Sequence, residues 1–318
     1  MGGTDSPATS YKSLLNISMG NSENGFYAAF RQFVPEYHEI LYAQMVRDYG
    51  TDGFNKRLVN SVIELTPDVI FMQLNDVGSV TLDSIKALSN LTDVFIMWTS
   101  EAAKDMPEWY PPLMPHAILC YANDDYVNET IKRGYNSYFF NIFDETKYTP
   151  LNYAKTRDIV FAGSKSENFP MSGYRNRMVE FLHINYGNNF QVFGNGWNFG
   201  NYIGRSGMND IYNQAKIGID CSQIELKRYV SDRPFHIMAS GTFCLCKHYP
   251  DAEKDFIDGQ HLRFFDTYEE MKTLIDYYLK HDAERNKIAA AGNLNVRDRF
   301  GFKNLERVIN TIRNSSHS

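Results

Sequence analysis

The residues best suited to chemistry on an anion lie in 231–247, SDRPFHIMASGTFCLCK, where Arg233 and His236 stand three apart. Ser231 and Asp232 are N-cap candidates, and Pro234 suits a first turn because its missing N–H has no partner to lose there. Phe235, Ile237 and Met238 supply an apolar face, Gly241 ends the helix, and 242–246 is a short apolar run that reads as a strand. A helix start that carries an arginine, with free N–H groups beside it, is a seat for a diphosphate. By periodicity alone the same stretch is an ordinary helix–turn–strand unit of an α/β domain.

The elements that must position these residues alternate along the chain. Residues 14–18 read as a buried strand, 20–25 as a loop and 26–33 as a helix. Strands follow at 38–43, 68–74, 93–98, 116–121 and 137–142, with helices at 54–65, 80–88 and 124–132. A second series begins near Asp158. It has strands at 159–162, 190–193 and 216–220, helices at 174–184 and 210–214, then the Arg233 unit and a helical tail at 271–280, 283–299 and 303–312. Strand–helix alternation with short connections argues for parallel sheets covered on both faces. The polar segment DETKYTPLNYAKT separates the two series, giving domains at 1–150 and 151–300 with a terminal helix at 301–318.

Composition narrows the function classes. A chain of 318 residues is comfortable for two domains, and 43% hydrophobic with 22% charged residues is an ordinary globular balance. No apolar run approaches the ~20 residues that span a bilayer, and MGGTDSPATS lacks an apolar leader. Residues 1–156 carry 11 Lys and Arg against 19 Asp and Glu, whereas the remainder carries 21 against 19. An acidic first half is a poor partner for a nucleic-acid backbone, and a mildly basic second half suits a phosphorylated ligand. Cys120, Cys221, Cys244 and Cys246 lack zinc-ligand spacing. Buried thiols in a reducing cytoplasm are the simple account.

Arg233-Pro-Phe-His-Ile-Met-Ala-Ser-Gly241 is followed in order by Asp255-Phe256, Gly259, Phe264-Phe265-Asp266 and Glu269-Glu270. Tyr277-Tyr278, Arg285, Ile288-Ala289 and Gly292 complete the series. This ordered set resembles the C-terminal domain of the CgeB-like glycosyltransferases. The resemblance implies a GT-B architecture, in which two Rossmann-like domains face each other across a cleft and the last helix returns to the first domain. It also implies sugar transfer from a nucleotide-diphosphate sugar, held by the second domain, to a hydroxyl acceptor held by the first. No Asp-x-Asp occurs, so a metal-bridged diphosphate is not signalled, and no cofactor beyond the donor is expected.

Site residues follow from the same resemblance. Gly163 and Ser164 match its first glycine turn, where a missing Cβ lets backbone N–H groups approach phosphate oxygens. Arg175, in preference to Arg177, is the candidate for the leaving diphosphate. Gly196 and Trp197 match a G-x-g-w turn, with the indole either stacking on a planar ring or a sugar face, or packed between the two domains. Tyr212 and Lys216 match a further segment, the lysine either reaching a phosphate or marking a strand's polar entry. His236 stands where many such enzymes carry a glutamate that accepts from both ribose hydroxyls. A neutral imidazole offers one acceptor, so His236 either bonds the ribose singly or is structural. In the first domain Asp76 and Glu101 follow strands and are the candidates for the base that deprotonates the acceptor, or else are solvated carboxylates. A non-catalytic sugar- or nucleotide-binding module and a phage-type DNA base glycosyltransferase are the competing readings.

Overall fold

A computed structural model of the chain describes residues 12–19, 25–73, 78–100, 103, 105–201, 204 and 207–316. The chain folds into two compact units, Met1–Ile142 with Phe302–Ser318, and Phe143–Gly301.

The first unit is built on six parallel strands. They are β1 (Ser13–Ser18), β2 (Glu36–Leu41), β3 (Val69–Gln73), β4 (Val94–Thr99), β5 (Ile118–Tyr121) and β6 (Ser137–Phe139), in the order β2-β1-β3-β4-β5-β6. Strands covered on both faces carry no polar alternation, and β3 and β4, VIFMQ and VFIMWT, are buried throughout. One face is closed by α1 (Phe26–Phe33) and α10 (Phe302–Ser316). Phe26, Ala29 and Phe30 meet Phe302, Leu305, Ile309 and Ile312 over Leu14, Phe71 and Trp98. Both helices space their apolar residues three and four apart, so each presents a single stripe to the sheet. The other face is covered by α2 (Tyr42–Leu65), α3 (Leu82–Ser89) and α4 (Asp124–Lys132).

The second unit has five parallel strands. They are β7 (Arg157–Ala162), β8 (Phe190–Phe193), β9 (Ala215–Asp220), β10 (Phe243–Lys247) and β11 (Arg263–Phe265), in the order β11-β10-β9-β7-β8. Its helices are α5 (Ser172–Tyr186), α6 (Met208–Gln214), α7 (Arg233–Ala239), α8 (Tyr268–Tyr278) and α9 (Asp282–Phe300). Two parallel-sheet α/β units are what the alternation predicts. Local differences have local causes. The second strand lies two residues earlier than 38–43, because the apolar pair Tyr42-Ala43 extends the strand pattern into what is the start of α2. That helix is longer than 54–65 and breaks at Gly50, whose φ of 67° only glycine adopts freely. The three-residue β11 is too short for periodicity to reveal.

Candidate functional site

In the second unit the chain leaves β7 toward β8 on one side and then returns to place β9 on the other. The crevice beyond the carboxyl ends of strands flanking such a reversal is where open α/β sheets take ligands. Gly163 follows β7 at that point, and Asp220 ends β9.

Two glycine turns meet there backbone to backbone. The Gly163 N–H donates to Phe193 O at 2.7 Å, Lys165 N–H to Asn195 O at 2.8 Å, and Asn195 N–H to Ser164 Oγ at 3.2 Å. Gly194 has φ of 146°, and a Cβ there would stand 2.5 Å from both the carbonyl carbon and the oxygen of Gly163. Gly194 makes this close approach and lines the cavity. Gly196 lies over Lys165 instead. Trp197 is 8% exposed and belongs to the core of the unit, and its Nε1 donates to Gly163 O at 2.8 Å. The indole packs within the core of its own unit, and its donor braces the glycine turn. Trp197→Phe removes that donor from a half-buried carbonyl and is expected to cost about 0.5–1.5 kcal/mol, read as a lower urea midpoint at unchanged slope. An unchanged midpoint would mean the bond does not hold the turn.

Two guanidinium groups converge on Gly163. Arg175, on α5, is 4% exposed and donates through Nη2 to Ser164 O at 2.7 Å, while its buried Nε has no hydrogen-bond partner among the described residues. Its neighbour Arg177 is exposed, so of the two Arg175 is the one turned inward. Arg233 begins α7 and donates through Nε to Ala162 O and through Nη1 to Asp220 Oδ1. Both groups lie over Phe161, with Cζ 5.2 Å from the ring centroid for Arg175 and 4.9 Å for Arg233. Burial and the charge of Arg233 pull the Arg175 pKa down to about 10, so its cation is held at a cost. Burial works most strongly against the charge of Arg233, but Asp220 together with Tyr212 and Asp232 outweighs it and holds that group above its ordinary value.

The remaining wall is aromatic. His236 lies flat on Tyr148, ring centroids 3.7 Å apart and planes 8° from parallel, with Nε2 4.0 Å from Asp232 Oδ2. The segment that delivers Tyr148 is tied down along its length. Arg297 Nη2 donates to Tyr148 O, Thr149 N–H to Asn209 Oδ1, and Leu151 N–H to Asn213 Oδ1. Together with Phe193, Met208, the buried Tyr212, Asp232, Gly163, Ser164 and Arg233 these rings line a cavity of about 340 Å³. Its wall combines aromatic rings, glycine-turn backbone, one guanidinium and one carboxylate.

Lys216 does not belong to this group. It sits near the start of β9, at the opposite end of the strand from Asp220, and pairs with Asp158 Oδ1 at 2.6 Å. That is the polar-entry alternative. In the first unit β3 ends at Gln73 and β4 at Thr99, and Asp76 and Glu101 lie outside the described residues. Sequence reasoning missed Asp220 and Tyr148. A carboxylate closing an apolar strand signals a buried partner, so Asp220 could have been found. Nothing in the polar segment around Tyr148 marks it as a cavity wall.

Residues 175–307 match the family model described as "Glycosyl transferase-like". No curated protein matches the chain at significant similarity. Among solved structures, HepE from Anabaena in complex with UDP-glucose superposes with a TM-score of 0.68 at 9% identity, covering 96% of this chain and 100% of that one. The UDP-forming α,α-trehalose-phosphate synthase of Burkholderia xenovorans gives 0.64 at 10% identity, covering 96% and 100%. The sucrose-phosphate synthase of Thermosynechococcus elongatus gives 0.62 at 9% identity, covering 96% and 99%. At these identities the likeness shows the fold, which is GT-B: two Rossmann-like units, each on a parallel sheet.

Proposed function

We propose that this protein is a glycosyltransferase that moves a sugar from a nucleoside-diphosphate sugar, UDP being the favoured carrier, to a hydroxyl acceptor. The observation that carries the reading is the unfinished charge at Gly163. Arg175 and Arg233 converge there against the buried carboxylate of Asp220, and Arg233, which lines the cavity, makes no hydrogen bond through Nη2 among the described residues. A buried cation lacking its full complement of acceptors is costly, and an anion seated at the turn would offset that cost. A diphosphate fits beside Ser164 and Arg233, and a nucleoside beside the Tyr148 and His236 rings. The family match over residues 175–307 and the UDP and UDP-glucose named with the HepE structures support the same choice.

In the reaction the bond from the sugar's anomeric carbon to the diphosphate oxygen breaks, and the acceptor oxygen bonds to that carbon. The electron pair leaves on the diphosphate, and the acceptor's proton passes to a base. Donors already in place at Ser164 and Arg233 need no reorganisation as that negative charge grows. Here the arginines take the part a metal ion plays in other transferases, so transfer is proposed to be metal-independent. The acceptor is assigned to the first unit, with Asp76 or Glu101 as the base.

The test is thermal unfolding against a panel of nucleoside diphosphates with no metal added. At 100 times its Kd, UDP is expected to stabilise the folded chain by about 2.7 kcal/mol. UDP-glucose should then be consumed in the presence of a hydroxyl acceptor. No shift with any nucleotide at millimolar concentration would sink the proposal.

A further inference from the structure

Asp220 sits behind the cavity rather than on its wall, 1% exposed, and its carboxylate is held from three sides. Oδ1 accepts from Arg233 Nη1 and from Ser231 Oγ at 3.1 Å, while Oδ2 accepts from Cys246 Sγ at 3.4 Å. Cys246 is the residue paired with Asp220 across the β9–β10 ladder, so this contact is built into the sheet register. A carboxylate fixed by donors from a loop, a helix and a neighbouring strand cannot turn.

Arg233 inherits that rigidity. Its Nε is tied to Ala162 O and its Nη1 to Asp220, with Ser231 Oγ at 3.3 Å from the same nitrogen. A planar guanidinium anchored at two of its three nitrogens has one orientation left. The third nitrogen, Nη2, faces Gly163, 3.2 Å from where a Cβ would stand on that glycine. Among the described residues Nη2 makes no hydrogen bond, although the group as a whole is only 11% exposed.

We propose that Asp220 is a positioning residue for the diphosphate site, orienting Arg233 so that Nη2 is presented to the ligand at the Gly163 turn. The inference rests on the reading of the second unit as donor-binding. It makes a prediction whose sign separates position from charge. Asp220→Asn keeps size and shape but removes one negative charge near the turn, and simple Coulomb attraction would then tighten an anion. If the carboxylate orients Arg233, the same change loosens the anion, because an amide no longer holds the guanidinium by a charge-assisted bond.

The experiment is calorimetric titration of the full chain with UDP and with uridine, for the wild type and for Asp220→Asn. The expected result is that UDP binds the variant roughly tenfold or more weakly while uridine binds within about twofold of the wild type. Tighter or unchanged UDP binding overturns the proposal in favour of charge alone. A parallel loss for UDP and uridine overturns it too, since it reports a collapsed pocket. Should Asp220→Asn fail to fold, Ser231→Ala withdraws one donor from the carboxylate without stranding a charge. It is expected to weaken UDP about two- to fivefold and leave uridine alone, and equal UDP affinity would overturn the proposal. A wild type that binds no UDP would instead fail the donor-site reading itself.

Discussion

Gly194→Ala is expected to cost about 2–6 kcal/mol, the sum of a left-handed backbone strain and a forced overlap. At φ of 146° the backbone is one that side chains rarely adopt, and the new Cβ would lie 2.5 Å from the Gly163 carbonyl carbon and oxygen. Main-chain atoms cannot swing aside as a long side chain can. Relief requires parting the two turns, which breaks the Gly163–Phe193 and Lys165–Asn195 bonds and tilts the turn that faces the cavity. Circular dichroism melts should show a fall in Tm of roughly 4–20 °C. A variant melting within about 2 °C of the parent would show that the turns do not pack as described.

Arg233→Met is expected to cost about 3–5 kcal/mol and to abolish UDP stabilisation. Most of the stability loss comes from the partner left behind, since Asp220 is 1% exposed and would be stranded as a buried charge. The double variant Arg233→Met with Asp220→Leu removes both charges and should regain most of that stability, because a buried ion pair seldom outperforms well-packed apolar groups. It should still show no shift with UDP. If the double variant regains UDP binding, Arg233 is not the diphosphate ligand. If the single variant is as stable as the parent, the buried pair is not formed. Sequence alone places Arg233 at a helix start suited to a diphosphate and gives no sign of its burial against Asp220. Its burial means that a single substitution tests folding and binding together.

Much of the fold is legible without coordinates. Residues 26–33 and 124–132 are helices to the residue. In the second, Asn123 accepts the Tyr126 N–H as an N-cap, and in the first the apolar spacing stops where the helix stops. Where local signals conflict, reading fails. Tyr42 and Ala43 suit a strand as well as a helix, and the Gly50 break hides the first half of α2. At the site, Gly163, Arg175 and Arg233 come from the ordered resemblance, whereas the orientation of the Trp197 indole and the direction of Lys216 do not. A side chain's type is local information, but its facing depends on what packs against it.

What the sequence by itself determined is therefore short-range: strand and helix identity, the parallel α/β class, the division into two series and the turns that end strands with glycine. Those properties arise within one turn or one strand, where the interacting residues are neighbours in the chain. The tertiary structure alone decided that Tyr148 would stack on His236, that Asp220 would clamp Arg233, and that Gly194 rather than Gly196 would touch Gly163. These groups are far apart in sequence and meet only because parallel pairing brings the carboxyl ends of β7, β8 and β9 side by side. No spacing rule encodes such a meeting, since it is set by strand order and register.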